Sequence, residues 1–292
     1  MLPIPPSLRR TPRPFYTRPW WRLPLDLFVL GFVAYQVGTF GVLLFEPFDY
    51  YATLPDSVEQ LDDSIITYLE TAPLVQWDQG TTAQYDLTYA TDTDPRSAMA
   101  IYKDALSSVV YLNVYDGFDY YIGSGVVLAA SGLIATNYHV IDGGEKIGVT
   151  FSDDTTTHAV SVVAFDEAQD IALLQIKVPA GQTLTTAQLR PASDPLQIGE
   201  TTYNLGHPEN LLYTFTDGLV SGLRVYETTG LGPQIQISNP ISQGSSGGPL
   251  FDQAGRLIGL TTWSLEYDAN SVQVQTVNFA IPVQSVADLL QQ

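Results

Sequence analysis

An all-β fold, built as two similar barrels, is what the sequence predicts from about residue 97 onward. Three observations carry this. Short β-branched and apolar runs recur between Gly, Pro, Asn and Asp turns, with almost no helical pattern between them. Charged residues make up only 15% of the 292-residue chain and hydrophobic ones 45%, with 23 Gly and 19 Pro, a profile suited to a turn-rich β protein. Two hairpins of the same design stand in the two halves of the stretch, a faint internal symmetry that fits two lobes.

The elements follow in order. A helical turn, RSAMAIYKDALSS, leads into a β-branched and aromatic strand at 108–117. The stretch 121–140 holds two apolar runs, GVVLAA and LIATN, joined by Ser131-Gly132, a hairpin signal. Further strands are expected at 145–151, 158–166, 170–177, 200–206, 212–225, 234–238 and 274–283. The second hairpin is PLFDQ, Ala254-Gly255 and RLIGLTT. Residues 190–197, RPASDPLQ, read as the connector between an N-lobe (about 97–190) and a C-lobe (about 198–292), and SVADLLQQ at 285–292 as a closing helix.

The N-terminal third is different. Five of the twelve basic residues precede residue 23, whereas 46–292 carries 7 basic and 30 acidic residues, a net of −23. Residues 27–45, LFVLGFVAYQVGTFGVLLF, contain no charge over 19 positions, and as a helix would reach roughly 28 Å, about one hydrocarbon core. Trp20, Trp21 and Arg22 precede the run as interfacial residues do. The reading is a basic cytoplasmic N-terminus (1–22) and a transmembrane helix (23–45), with everything after it extracytoplasmic. A cleaved signal peptide fits less well, because the run is long and no small-x-small site follows. A buried core helix fits less well too, because polar residues are too few for a wet face.

Residues 46–96 hold eleven acidic residues before Arg96, and Val58, Leu61, Ile65 and Leu69 fall at helical spacing. Trp77, Tyr85 and Tyr89 argue against a purely disordered linker. Two arrangements fit: a partly ordered spacer holding the next domain off the membrane, or an extension packed on that domain.

Composition also excludes chemistry. With no Cys there is no disulfide, thiol nucleophile or thiolate metal site, and three His without Cys argue against zinc. No cofactor or metal is expected. The acidic surface disfavours nucleic acid and anionic lipid.

The chemistry centres on ISQGSSGGPL (241–250). Ser246 sits among Gly244, Gly247 and Gly248, before Pro249. A nucleophilic serine needs an exposed hydroxyl and backbone N–H groups aimed at the oxygen that becomes negative. The amides of Gly244 and Ser246, with Ser245 as the backbone position between them, are the candidate oxyanion hole. The bland alternative is an ordinary Gly-rich hairpin loop. A serine nucleophile also needs a base and an acid that orients it. Of the three histidines, His139 closes the first hairpin on a strand edge. His158 follows a polar, turn-like run, and His207 lies in a Pro-containing loop with no acid nearby. Asp170 begins an apolar strand and fits the orienting acid better than Asp166 or Glu167. Burying it unpaired would be costly, so it needs a partner such as the His139 ring.

TNYHVI, DIALL, TDGLVSG, ISQGSSGGPLFDQAGRLIGL and VNFAIP, in this order, resemble the HtrA/Deg branch of the trypsin-like serine proteases over roughly 97–290. The resemblance implies a double six-stranded β-barrel of the chymotrypsin type, with a cleft between the lobes. It implies His139 as general base, Asp170 as orienting acid and Ser246 as nucleophile, in the order His…Asp…Ser. It places the wall of the substrate pocket at Pro240, Ile241, Thr261, Thr262 and Trp263. With no acidic floor there, a basic residue before the scissile bond is disfavoured and a small or medium apolar one expected. Such proteases usually carry a PDZ domain after the protease. This sequence ends nine residues after VNFAIPV, so none is expected. Ser245 stands where digestive enzymes have Asp, which argues against zymogen activation by a new N-terminus. Members often form trimers, for which 46–96 is the candidate segment. The expectation is a membrane-anchored serine endopeptidase acting on polypeptides, in quality control or regulated cleavage. The alternative is a silent binding or scaffold protein on the same fold.

Overall fold

A computed structural model describes residues 67–77, 85–152, 156–225, 231–265 and 274–291. The expected transmembrane helix lies outside these residues. Among them, no helix is long and apolar enough to cross a membrane.

The chain forms two six-stranded antiparallel barrels. The first contains β2 (Val109–Tyr115), β3 (Tyr120–Ala129), β4 (Leu133–Thr136), β5 (Lys146–Phe151), β6 (Thr157–Asp166) and β7 (Ile171–Ile176). They run in the order β6-β5-β2-β3-β4-β7, and a β6–β7 pairing closes the ring. The second is the closed barrel β10-β13-β12-β11-β8-β9. Its strands are β8 (Thr201–Gly206), β9 (Thr214–Val225), β10 (Pro233–Ile237), β11 (Pro249–Asp252), β12 (Leu257–Ser264) and β13 (Asn278–Pro282). Closure removes the exposed edges that an open sheet would leave. Among the described residues, short helices flank the barrels, including α1 (Ala98–Ala105), α2 (Tyr138–Ile141) and α3 (Val283–Leu289).

Most of the apolar runs divide among three cores. Val110, Leu112, Val127, Ile134, Val149 and Leu174 fill the first barrel. Val220, Ile235, Ile237, Leu250 and Ile258 fill the second. A third cluster joins Val126, Leu128, Leu173, Leu205, Leu257, Leu260 and Val286, so β3 and β7 bury their outer faces against β8, β12 and α3. This explains why β4, β7 and the second half of β3 are nearly continuous apolar runs instead of alternating ones. It also fixes the lobes against each other, which a site shared between them requires.

Two features depart from the sequence reading. A short strand, β1 (Gln76–Trp77), emerges from the acidic segment and pairs in parallel with Ser161 and Val162 of β6. Leu69 is fully buried against Tyr111, and residues 88–90 pair with Leu189 just before the connector: the Ala90 amide donates to Leu189 O at 2.9 Å and the Leu189 amide donates to Thr88 O at 2.8 Å. The described parts of this segment lie on the first barrel, on Leu189 before the connector and, at Arg96, on the turn between β11 and β12, where the Arg96 amide donates to Gln253 O at 2.8 Å. Second, His139 does not lie on a strand edge. β4 ends at Thr136, and the chain turns into α2. That helix sits directly over β3 because residue 123 is glycine: a Cβ there would run into the Val140 side chain.

Candidate active site

The histidine comes from α2, the aspartate from the turn between β6 and β7, and the serine from the loop before β11. Tyr138, next to His139, stacks on Phe165 at 5.1 Å, and Trp77 meets the same ring edge-on at 5.5 Å. Asp170 has φ of 59°, a left-handed conformation uncommon outside glycine. It is held there from two sides. Its carbonyl accepts from Asn137 Nδ2 at 3.0 Å and from the Tyr138 amide at 3.2 Å. Its carboxylate accepts from the His139 amide at 2.9 Å.

His139 Nδ1 lies 2.8 Å from Asp170 Oδ2 and 3.0 Å from Oδ1. The carboxylate is acceptor-only, so Nδ1 carries the proton and Nε2 is left as the basic nitrogen. Thr262 Oγ1 donates to Oδ2 at 2.6 Å. Burial by itself would lower the His139 pKa. The charge and hydrogen bond of Asp170 outweigh burial and raise it above the ordinary 6.5.

Ser246 is partly exposed. Its hydroxyl donates to the Thr262 carbonyl at 3.1 Å, so in this arrangement the hydroxyl proton is not directed at the histidine. The loop around it is anchored at many points. Ser246 O accepts from the Ser124 amide at 2.9 Å, Gly247 N donates to Thr261 O at 2.8 Å, and Ser245 N donates to Ser242 O at 2.9 Å. Gly244 has φ of 97°, and a Cβ there would collide with the His207 carbonyl oxygen. Gln243 O accepts from the Glu209 amide at 2.8 Å. Across a trans peptide C=O and N–H point oppositely, so the Gly244 N–H faces away from the 207–210 loop. Among the described residues, neither the Gly244 nor the Ser246 amide donates to any acceptor. Two unpartnered N–H groups two residues apart beside a serine are the donors that an anion-binding pair would use.

The expected pocket residues take different roles. Thr261 is fully buried, and its hydroxyl donates to Ser245 O at 2.8 Å, bracing the serine loop from behind. Thr262 contacts both ends of the site, through its hydroxyl and its carbonyl. Trp263 stacks on Phe279 at 4.0 Å. Pro240 is exposed and Ile241 partly so, beside the buried Asn239, whose carbonyl accepts from Asn278 Nδ2 at 2.5 Å. His158 is not in a turn. It lies in β6, half-buried, opposite Val149. His207 is completely buried.

Sequence reasoning missed two residues: the Thr262 hydroxyl as a donor to Asp170, and Ser124, whose side chain lies under Gly244. A threonine in a core strand gives no local signal of what it will face. Ser124 lies in YIGSGVV, between two glycines that admit close approach, and that signal was readable.

A double β-barrel with a His–Asp pair on one lobe and a glycine-bounded serine on the other defines the trypsin-like class. Residues 123–260 match the trypsin-like peptidase domain. The chain is 36% identical over 220 residues to Protease Do-like 1, chloroplastic, of Arabidopsis thaliana, covering 68% of this chain and 48% of that protein. It is 32% identical over 172 residues to the serine endoprotease DegS of Haemophilus influenzae, covering 58% of this chain and 49% of that one. To the periplasmic serine endoprotease DegP of Salmonella typhimurium it is 38% identical over 177 residues, covering 59% and 35%. A solved structure of the HtrA-type protease AlgW with tripeptide superposes with a TM-score of 0.59 at 27% identity, covering 67% of this chain and 63% of that one. Residues 123–260 thus carry a trypsin-like peptidase domain, and the chain is similar to serine proteases of the HtrA/Deg type. It spans about half the length of the two relatives named first.

Proposed function

We propose that this chain is a serine endopeptidase that cleaves polypeptides through an acyl-enzyme. The observation that carries the reading is the His139–Asp170 pair at 2.8 Å, set across the lobe junction from a serine beside two unpartnered amides. In the reaction Ser246 Oγ turns from the Thr262 carbonyl toward His139 Nε2 and attacks the scissile carbonyl carbon, and Nε2 takes its proton. The negative oxygen is received by the amides of Gly244 and Ser246, with Ser245 fixing the peptide between them. As the C–N bond breaks, the imidazolium gives its proton to the leaving amine. Water, deprotonated by His139, then attacks the ester, and as the C–Oγ bond breaks the imidazolium returns that proton to Ser246 Oγ. Asp170 holds the ring and favours its protonated form, and Thr262 holds Asp170. Losing one oxyanion donor costs about 10²–10³ in rate.

Pro240, Ile241 and Trp263 are the side chains available to the residue before the scissile bond, and none would pair with a basic side chain. The uncharged 23–45 segment, with arginines before it, supports an anchored enzyme whose catalytic domain is extracytoplasmic. Similar proteins are described as periplasmic and chloroplastic. The 46–96 segment is the candidate for self-association, a trimer included.

The Ser246 hydroxyl on Thr262 is the one observation that favours a silent binding protein on the same fold. Casein hydrolysis and fluorophosphonate labelling of the full chain separate the two readings. A serine protease is labelled at Ser246, and Ser246→Ala abolishes both signals. A protein that hydrolyses casein unlabelled sinks the triad assignment, and one that binds unfolded casein without cleaving it supports the scaffold.

A further inference from the structure

We infer that Ser124, oriented by the ring of His207, is a positioning residue that sets the oxyanion hole. The inference rests on the reading of the Gly244 and Ser246 amides as that hole.

Ser124 is fully buried on β3, in the first lobe, yet its polar atoms reach into the second. Its amide donates to Ser246 O at 2.9 Å and its hydroxyl donates to Gly244 O at 2.8 Å. The hydroxyl has one hydrogen, and a carbonyl can only accept, so that hydrogen belongs to Gly244. The other two partners of the oxygen must therefore donate to it. These are the His207 amide at 3.1 Å and His207 Nδ1 at 2.9 Å. The ring is thereby fixed as its Nδ1–H tautomer. Tyr111 and Tyr213 hold it edge-on, with centroids 5.1 and 4.7 Å away.

Two peptide planes meet at Gly244, and both are clamped by residues outside the loop. The Glu209 amide holds the carbonyl of the 243–244 plane, and the Ser124 hydroxyl holds that of the 244–245 plane. Glycine resists rotation between these planes less than any other residue does. The direction of the Gly244 N–H therefore depends on the clamps. His207 and Glu209 belong to one short segment, so that segment contributes to both: Glu209 directly, and His207 through Ser124.

The test measures kcat and KM of the full chain on a peptide ester, together with the Ki of a peptide boronic acid whose tetrahedral oxygen occupies the hole. Ser124→Ala is expected to lower kcat about tenfold to a hundredfold, short of the loss of a donor itself. The boronate Ki should rise by a similar factor, with KM within about twofold. His207→Asn still offers an N–H toward Ser124, whereas His207→Leu fills space without one. His207→Asn is expected to retain more kcat than His207→Leu, and this order is readable even if Ser124→Ala does not fold. A packing role predicts the reverse order. An unchanged kcat and boronate Ki in folded Ser124→Ala, with wild type active and labelled at Ser246, overturns the inference and leaves the protease reading standing. An active wild type that is unlabelled at Ser246 overturns both.

Discussion

Thr262 Oγ1 donates to Asp170 Oδ2 at 2.6 Å, across the junction of the two barrels. β12 of the second lobe thus helps hold a carboxylate that belongs to the first. The same residue's carbonyl takes the Ser246 hydroxyl at 3.1 Å. One strand position therefore touches both Asp170 and Ser246. Thr262→Val keeps the shape and the carbonyl but removes the donor. Leaving a half-buried carboxylate one hydrogen bond short costs on the order of 1–2 kcal/mol, so kcat should fall about tenfold with little change in KM. Steady-state kinetics of the folded variant check this, and an unchanged kcat would remove Thr262 from the catalytic network.

The raised pKa of His139 has a definite sign in the pH profile. In the proposed mechanism the ring must be neutral to accept the serine proton, and Asp170 makes it hold its own proton to higher pH. The acid limb of kcat/KM should therefore fall above the ordinary histidine value of 6.5, with activity lost below it. Asp170→Asn removes the charge that opposes the effect of burial, so the limb should move to lower pH while kcat drops by about 10⁴. A limb that stays in place in that variant would mean that another group governs the profile.

Much of this arrangement was legible in the chain. Strands with a two-residue turn or a glycine between them, such as β3–β4 and β11–β12, announce themselves because their pattern is local. The serine was legible because Gly244 and Gly247 are needed for the backbone itself. What failed was geometry set by distant residues. His139 reads as the end of a strand because ATNYHV is apolar and β-branched enough. It becomes a helical turn because Gly123, sixteen positions earlier, leaves room for Val140. β1 was missed because two residues carry no periodicity, and only the stretch of β6 beyond its pairing with β5 gives them a place. His207 reads as a loop residue beside a proline, yet Ser124, Tyr111 and Tyr213 enclose it.

The hairpin β11–β12 turns on a buried ion cluster that gives another measurable effect. Asp252 is fully buried and accepts from Arg256 Nε at 2.8 Å and from the amides of Ala254 and Arg256 at 2.9 and 3.0 Å. Arg190, in the connector, pairs with Glu200 and with Asp252, the latter at 3.3 Å. Removing the shared carboxylate leaves two largely buried arginines with only the more exposed Asp194 and, for Arg190, Glu200, and takes the acceptor from the Ala254 and Arg256 amides. Asp252→Ala should cost about 3–5 kcal/mol, read as a lowered urea midpoint at unchanged slope. A loss below about 1 kcal/mol would show that the arginines find water or other acids instead.

His207 gives the fold an acid limb distinct from that of activity. Burial among aromatic rings lowers its pKa to about 3, against 6.5 for the free side chain. The unfolded chain therefore binds a proton between those values that the folded chain refuses. Stability is fully present above 6.5 and is lost as pH falls through this window, by up to about 1.4 kcal/mol per pH unit from this one group. The sign is opposite for His139, whose raised value stabilises the fold at low pH and ceases to do so as pH rises through it. Urea midpoints between pH 7 and pH 4 should fall more steeply for wild type than for His207→Asn, which has nothing to protonate there. Parallel curves would show that the folded protein admits a proton at His207, and so that the ring is not enclosed as the structure has it.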